Sequence, residues 1–434
     1  MATTDDFGTN QERSPIRSNI FEIFPNGDGG MMTGISGRIQ DEVTRADTFK
    51  WAEEEMPYAT FTLQGSGCYT DVDLQTAYSS GADQAAGSTV FFSLLNADAE
   101  SIAEGDTVFA RDNSNLANDM PLRVTRTPFD IDGTNSVVTC KLIKADGVDG
   151  AGDLSDCDRL TVISDSSPDG GDVRDVIGQT PTEVTNYIQD FREPVKITDI
   201  AAGTALEYGS PHVARVKKRA LKRHTLKINR ALIFGHKLET TGSNGEKEWL
   251  THGLVEAIRD YNSAGNIFDF YNSTASAYAA KTWVQKGEDF LNDSFQTIFK
   301  RGSMEKIALC GIGAAAGIDQ VARMSGQVQL EPAQSGIYGF HAKRYVTAGW
   351  GGILNVVVDA DLVHQARDNL MIVFEPALLK ARPFAGLDTK YRKIDPGGKT
   401  LAEYGEYRTV LGLEYHNPGA FGILDGVGLD NVTA

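Results

Sequence analysis

Three groups of residues in this sequence have types and spacing that could do chemistry. The first is Gly311, Gly313 and Ala316 in "ALCGIGAAAG", which match G-x-G-x-x-A after a strand-like run, with Glu331 twenty residues on. In a dinucleotide site, such a turn lets backbone N–H groups approach a pyrophosphate, and the later acid holds a ribose hydroxyl. A dinucleotide-binding oxidoreductase is therefore the alternative function to weigh. Against it, the next helix ends at Ser325-Gly326 after about three turns, and the flanking sequence does not alternate between strands and helices. The other reading is a strand-to-helix turn whose small residues allow close packing, and the sequence favours it.

The second group is acidic. Asp146, Asp149, Asp153, Asp156 and Asp158 lie in one Gly- and Ser-rich loop, where clustered carboxylates could hold calcium. The run lacks the one-in-two spacing and closing Glu of a dedicated loop, so a solvated loop is the simpler expectation. His212, His224 and His236 recur every twelve residues, too far apart on a helix to share a metal. There is no H-E-x-x-H, nucleophile elbow or phosphate-binding loop. The four cysteines, Cys68, Cys140, Cys157 and Cys310, form no C-x-x-C pair, which fits a reducing cytoplasmic folding environment. No catalytic residue, cofactor or metal is expected.

The third group is "RVKKRALKRHTLKINR" (215–230), in which Arg215, Lys217, Lys218, Arg219, Lys222, Arg223, Lys227 and Arg230 meet no acid. These eight cations repel one another unless an anion lies near. Nucleic-acid phosphate is one candidate, and acidic surfaces of neighbouring copies are another. A solvated basic face without a partner is the third reading. The rest of the chain makes the concentration notable, because its formal net charge is −18. Residues 1–200 carry 35 Asp/Glu against 14 Lys/Arg, and residues 201–434 carry 24 against 27. A free DNA-binding protein fits poorly, since long-range steering would be repulsive.

The elements that must position these groups follow from periodicity. The chain has 434 residues, 41% of them hydrophobic, enough for two or three domains. The polar, acidic start excludes a secretory signal, and no apolar run reaches membrane-spanning length. Residues 1–60 carry short apolar spots (Ile20, Phe21, Ile23, Phe24; Phe49, Trp51) and read as an extended arm that packs on something else. "STVFFSLL", "DTVFAR", "LRVTRTPF", "SVVTCKLI" and "RLTVI" predict an all-β module over about 85–165, with "DIDGTN" as a hairpin turn. Val213, Val216, Ala220, Leu221, Ile228, Leu232 and Ile233 predict a long amphipathic helix over 210–236, stopped near Gly235. A second helix is expected over 282–302, a strand at "KIALCG", a short helix at "AAAGIDQVARMS", and strands at "GILNVVVDADLV" and "NLMIVFEPALLKARPF". The end of the chain alternates like two strands with a closing loop.

The order of parts, with "YIQDFREPVKITDIAAG" followed by "VARVKKRALKRHTLKINRALIFG" and the closing "KTLAEYGEYRTVLGLEYHNPGAFGIL", resembles the major capsid proteins of tailed bacteriophages. The likeness covers roughly 180–434 well and 1–60 loosely. It implies an α+β chain of Hong Kong 97-type fold. The parts would be an N-terminal arm (1–60), an extended loop with the β insertion (61–200), and a spine helix with the first part of a peripheral domain (201–282). An axial domain (283–375) and the closing peripheral strands (376–434) would complete it. It further implies hexamers and pentamers of an icosahedral shell, in the virion, around double-stranded DNA. Portal and possible scaffold or decoration proteins would be partners, without a membrane. The eight cations would face the interior or another subunit. Only a short arm precedes the loop, so no large cleaved scaffolding segment is expected.

Overall fold

The computed structural model describes residues 42–54, 60–79, 84–112, 119–146, 154–167, 181–204, 212–262, 265–325, 331–332, 343–346, 351–394 and 402–431. Most of the expected arm lies outside them. The chain divides into two compact units, Ala52–Glu183 and Met1–Trp51 with Val184–Ala434. The architecture is α+β.

The first strand, β1 (Thr48–Glu53), pairs with β9 (Thr182–Tyr187). The unit Ala52–Glu183 is a seven-stranded antiparallel sheet. Its strands are β2 (Thr60–Thr62), β3 (Cys68–Tyr69), β4 (Thr89–Leu95), β5 (Asp106–Arg111), β6 (Asp119–Asp130), β7 (Asn135–Leu142) and β8 (Arg159–Asp165), in the order β2-β8-β5-β6-β7-β4-β3, with one helical turn, α1 (Asn96–Ala99), after β4. Alternating β-branched and aromatic residues put Val90, Phe92 and Leu94 of β4 and Val108 and Ala110 of β5 into one core. The β6–β7 turn is built by aspartates: Asp130 Oδ1 accepts from Gly133 N at 2.7 Å, and Asp132 Oδ1 from Thr134 N at 2.8 Å. Gly133 supplies the left-handed backbone there, at φ +83°.

The other unit holds two larger sheets. One contains β10 (Gln189–Thr198), β19 (Leu379–Pro383), β20 (Lys390–Ile394) and β21 (Ala402–Tyr415), with β21 paired to the other three. A short helix, α2 (Asp199–Gly203), ends β10. The long helix α3 (His212–Phe234) packs on this sheet through Ala220, with Val195 and Ile197 opposite. Its C-terminal end falls two residues inside the expected 210–236, and residues 205–211 lie outside those described. At the stop, Gly235 N donates to Ala231 O and Gly253 N to Gly235 O, both at 2.8 Å. A Cβ on Gly235 would lie 2.4 Å from Ala231 O and 2.5 Å from Thr251 O, so two backbones meet there because no side chain intervenes. The hairpin β11 (Leu238–Thr241)–β12 (Lys247–Leu250) follows, then α4 (Leu254–Asn262).

The second sheet runs β13-β22-β18-β14-β17-β16-β15. Its members are β13 (Ile267–Asp269), β14 (Glu305–Cys310), β15 (Glu331–Pro332), β16 (Lys343–Val346), β17 (Ile353–Val358), β18 (Met371–Phe374) and β22 (Gly422–Asp425). Only β13–β22 and β14–β17 are parallel. Helices α5 (Trp283–Ile298) and α6 (Ile312–Ser325) share a core with it, built around Trp283, Phe290, Phe295 and Leu354. The α5 start is capped by Gln285 Oε1, which accepts from Thr282 N at 3.2 Å. "GILNVVVDADLV" is one strand in the sequence reading but two elements in the structure. Asp359 takes the Asp361 N–H at 2.9 Å and so starts the short helix α7 (Ala360–His364). The two closing strands separate as well. After β21, Asn417 turns through φ +45° and β22 joins the other sheet.

Candidate functional site

The eight cations of α3 divide into two sets by helical phase. At about 100° per residue, Lys217, Arg223, Lys227 and Arg230 lie on the side toward the buried Ala220, His224 and Ile228. Arg215, Lys218, Arg219 and Lys222 fall within the next 100° or so, with Arg219 only about 20° from Arg230.

Each cation of the first set meets an acid of its own chain. Lys217 Nζ lies 2.8 Å from Glu403 of β21 and over the Tyr391 ring. Arg223 and Lys227 grip the two oxygens of Glu193 on β10 at 2.8 and 2.5 Å. Arg230 takes both oxygens of Asp361. Glu193 and Asp361 are buried, so these pairs seat the helix and remove part of its self-repulsion. The Glu403 carboxyl is held below its usual range, first by the Lys217 hydrogen bond, and Lys217 is correspondingly raised. Arg230 is raised by its bond to Asp361. Sequence reasoning missed these partners. The available signal was the alternation "DFREPVKIT", in which Glu193 shares the inward face of β10 with Phe191, Val195 and Ile197. A lone acid on an apolar face announces a cation opposite.

The second set lies in the first turns of α3. Lys218 and Arg219 are exposed, Lys222 is half-buried, and Arg215 lies half-buried with Nη2 3.4 Å from His212 Nδ1. The first turn carries no acid. Cations at this end oppose the helix dipole.

The remaining candidates resolve into packing. Gly311 and Gly313 sit at the β14–α6 junction, but the chain itself fills the place of a pyrophosphate. Gly311 N donates to Leu370 O at 3.0 Å and Ala314 N to Asp368 O at 2.8 Å. A Cβ on Gly311 would lie 2.3 Å from Asp368 O, and one on Gly313 2.8 Å from Asn369. These glycines admit the 368–370 segment, and the dinucleotide alternative loses its donors. Of the acidic loop, Asp146 is buried and accepts from Tyr78 Oη at 2.5 Å, while Asp156 and Asp158 are exposed. Asp149 and Asp153 lie outside the described residues. Among those described, no cluster of His, Cys, Asp and Glu is arranged for a metal. His224 is buried, with Nε2 2.7 Å from Thr409 Oγ1, and burial lowers its pKa. All four cysteines are buried and none is in a disulfide, and burial raises the Cys68 and Cys140 thiols far above their ordinary range. No helix among the described residues is long and apolar enough to cross a membrane.

The charge asymmetry also has a structural address. The unit Ala52–Glu183 holds 24 Asp/Glu against 7 Lys/Arg, and the rest of the chain holds 35 against 34. One β unit thus carries nearly all the net negative charge.

Comparison with known proteins gives a 28% identical match over 120 residues to the major capsid protein of Pseudomonas phage PaMx41, covering 28% of each chain. Among solved structures, the capsid of a native GTA particle aligns over 98% of both chains at 9% identity and TM-score 0.43. One from Mycobacterium phage Bobi aligns over 62% of this chain and 77% of its own at 14% identity and TM-score 0.36. A sequence model of the SU10 major capsid protein family matches residues 3–428. With that match spanning nearly the whole chain, the protein belongs to the SU10 major capsid protein family, a family of structural proteins and not of enzymes.

Proposed function

We propose that this chain forms hexamers and pentamers of an icosahedral shell around the double-stranded DNA of a tailed phage, with a Hong Kong 97-type subunit. In that subunit α3 is the spine helix and the Ala52–Glu183 unit is the body of the extended loop. The peripheral domain is built on the β10–β21 sheet and the axial domain on the β14–β17 sheet. Its partners would be a portal protein and possible scaffold or decoration proteins.

The observation that carries this reading is a long helix with eight cations, four of them held by Glu403, Glu193 and Asp361, in a chain whose net charge is concentrated in a separate unit. A wall around DNA works against phosphate repulsion, so its inner face must not be strongly anionic. Arg215, Lys218, Arg219 and Lys222 would supply part of that compensation, and the acidic unit would lie on the outer or lateral surface. A second reading places the same four cations against a neighbouring copy's acidic unit, and the charge of that unit favours it. Changing Arg215, Lys218, Arg219 and Lys222 together to Gln separates the two. If they meet DNA, empty shells form normally and packaged DNA is lost more readily on raising salt. If they meet a neighbour, assembly itself fails. Normal shells with normal DNA retention contradict both.

A further inference from the structure

The chain crosses between the sheet of β10 and β21 and the sheet of β14 and β17 at segments that converge on one point. Residues 375–378 lead from β18 to β19, and residues 416–421 lead from β21 to β22. The entry to β13 packs on the second crossing, where Asn266 Nδ2 donates to Gly419 O at 3.1 Å and Phe421 O at 2.8 Å. The turn from α5 into β14 closes on the first crossing, where Ser303 N donates to Glu375 Oε2 at 2.8 Å.

Lys306 of β14 sits where these segments meet. Its Nζ donates to Arg301 O and to Ala420 O, each at 2.9 Å, and so ties the turn to the second crossing. Glu375 Oε2, from the first crossing, is 3.9 Å away, beyond hydrogen-bond reach. The Phe299 ring lies 5.4 Å off. There is no slack around the ammonium. A Cβ on Gly302 would lie 3.0 Å from Nζ, 2.6 Å from Glu375 Oε2 and 2.9 Å from Ala420 Cβ. The Lys306 side chain is 0% exposed. A lysine at this depth is rare, and a buried cation costs free energy unless it is closely paired.

The neighbouring charges do little to offset that cost. Glu375 is the carboxylate that faces Lys306. Arg301 turns its guanidinium over the Tyr261 ring of α4, at 5.5 Å. Glu305, next along β14, takes the Asn355 amide at 2.9 Å. Asn266 and the segment Pro418–Ala420 bring no charge. Burial accordingly pushes the Lys306 pKa down to about 8, with Glu375 opposing.

We propose that Lys306 makes the junction of the two sheets proton-sensitive: the crossings part more readily around its ammonium and hold more firmly around its neutral amine. Opening lets water reach the ammonium, so the open form keeps a proton that the closed form sheds. The closed form loses it near pH 8, and a solvated lysine near 10.5. Below pH 8 both forms are protonated, and opening is most favoured. From pH 8 toward 10.5 opening requires proton uptake, so it falls by up to about tenfold per pH unit. The device lies within one chain and stands apart from the shell reading.

Hydrogen exchange of the purified full-length chain, corrected for the intrinsic rate at each pH, tests it. The readout is the protection of Ser303, Leu378, His416 and Phe421, whose N–H groups are bonded within the junction. Protection there should be level from pH 7 to 8 and rise at least about fivefold from pH 8 to 9.5. Amides of β5 and β6, in the other unit, are the control and should not change. Lys306→Met carries no proton and Lys306→Arg keeps its own, so either variant should flatten the rise. The Arg variant serves if the Met variant does not fold. A flat wild-type profile overturns the proposal. So does an equal rise in β5 and β6, or a rise that persists in a folded variant. Particle formation enters none of these outcomes, so the junction and the shell stand or fall separately.

Discussion

Glu193 shows how much one residue can settle. It is 5% exposed on β10 and holds Arg223 and Lys227 of α3. Removing both partners by Arg223→Gln and Lys227→Gln strands a buried carboxylate. The expected loss is about 1–3 kcal/mol, less than for a fully buried pair because both cations are largely exposed. Lys218→Gln should change stability by less than about 0.5 kcal/mol. Denaturant unfolding of the two variants measures the contrast, and equal effects would contradict the division of the helix. His224 and His252 give a pH prediction of fixed sign. Burial lowers the pKa of both, with Glu193 opposing at His224 and Asp260 at His252. Below the ordinary histidine range near 6.5 the unfolded chain takes up protons that the folded chain refuses. Stability should therefore fall as pH drops from 7 toward 5, and His224→Gln should flatten that slope. An unchanged slope contradicts the burial argument for His224.

At the level of elements, the β unit and the long helix were legible because their patterns are local. Five strand-like runs, the "DIDGTN" turn and the 3.6-residue period of α3 each state their structure within a dozen residues. The partners of the basic helix were not legible, since Glu403 is 186 residues from Lys217 and Asp361 is 131 from Arg230. The fate of the closing strands was equally hidden. β21 and β22 are adjacent in sequence but join different sheets, and only long-range pairing decides that. The break in "GILNVVVDADLV" was readable in principle, because Asp359 is a capping residue two before another acid. Two glycine sites test the packing account. Gly235→Ala forces a Cβ against two carbonyl oxygens and should cost about 1–3 kcal/mol or more. At the β14–α6 turn, calorimetry with nicotinamide dinucleotides should give no heat and no thermal shift. Saturable binding there would mean that the 368–370 segment yields to a ligand.

On the scale of the whole molecule, charge separation and chain reach work together. In the proposed shell, acidic β units of neighbouring copies would repel one another, so contacts between like surfaces would have to come from shape, apolar burial and specific pairs. On the proposed reading the cations of α3 meet DNA or a neighbour, and either contact would weaken with salt. If four phosphates are met, the slope of log binding against log salt for duplex DNA should become shallower by about 3–4 in the fourfold Gln variant. An unchanged slope would place that face away from nucleic acid. The central claim is that copies of this chain close into a shell. Sedimentation of the purified full-length chain, with negative-stain microscopy of the fast fraction, tests it most directly. The account predicts ring-shaped oligomers and closed particles of uniform size. A chain that stays monomeric across salt, pH and concentration would contradict it.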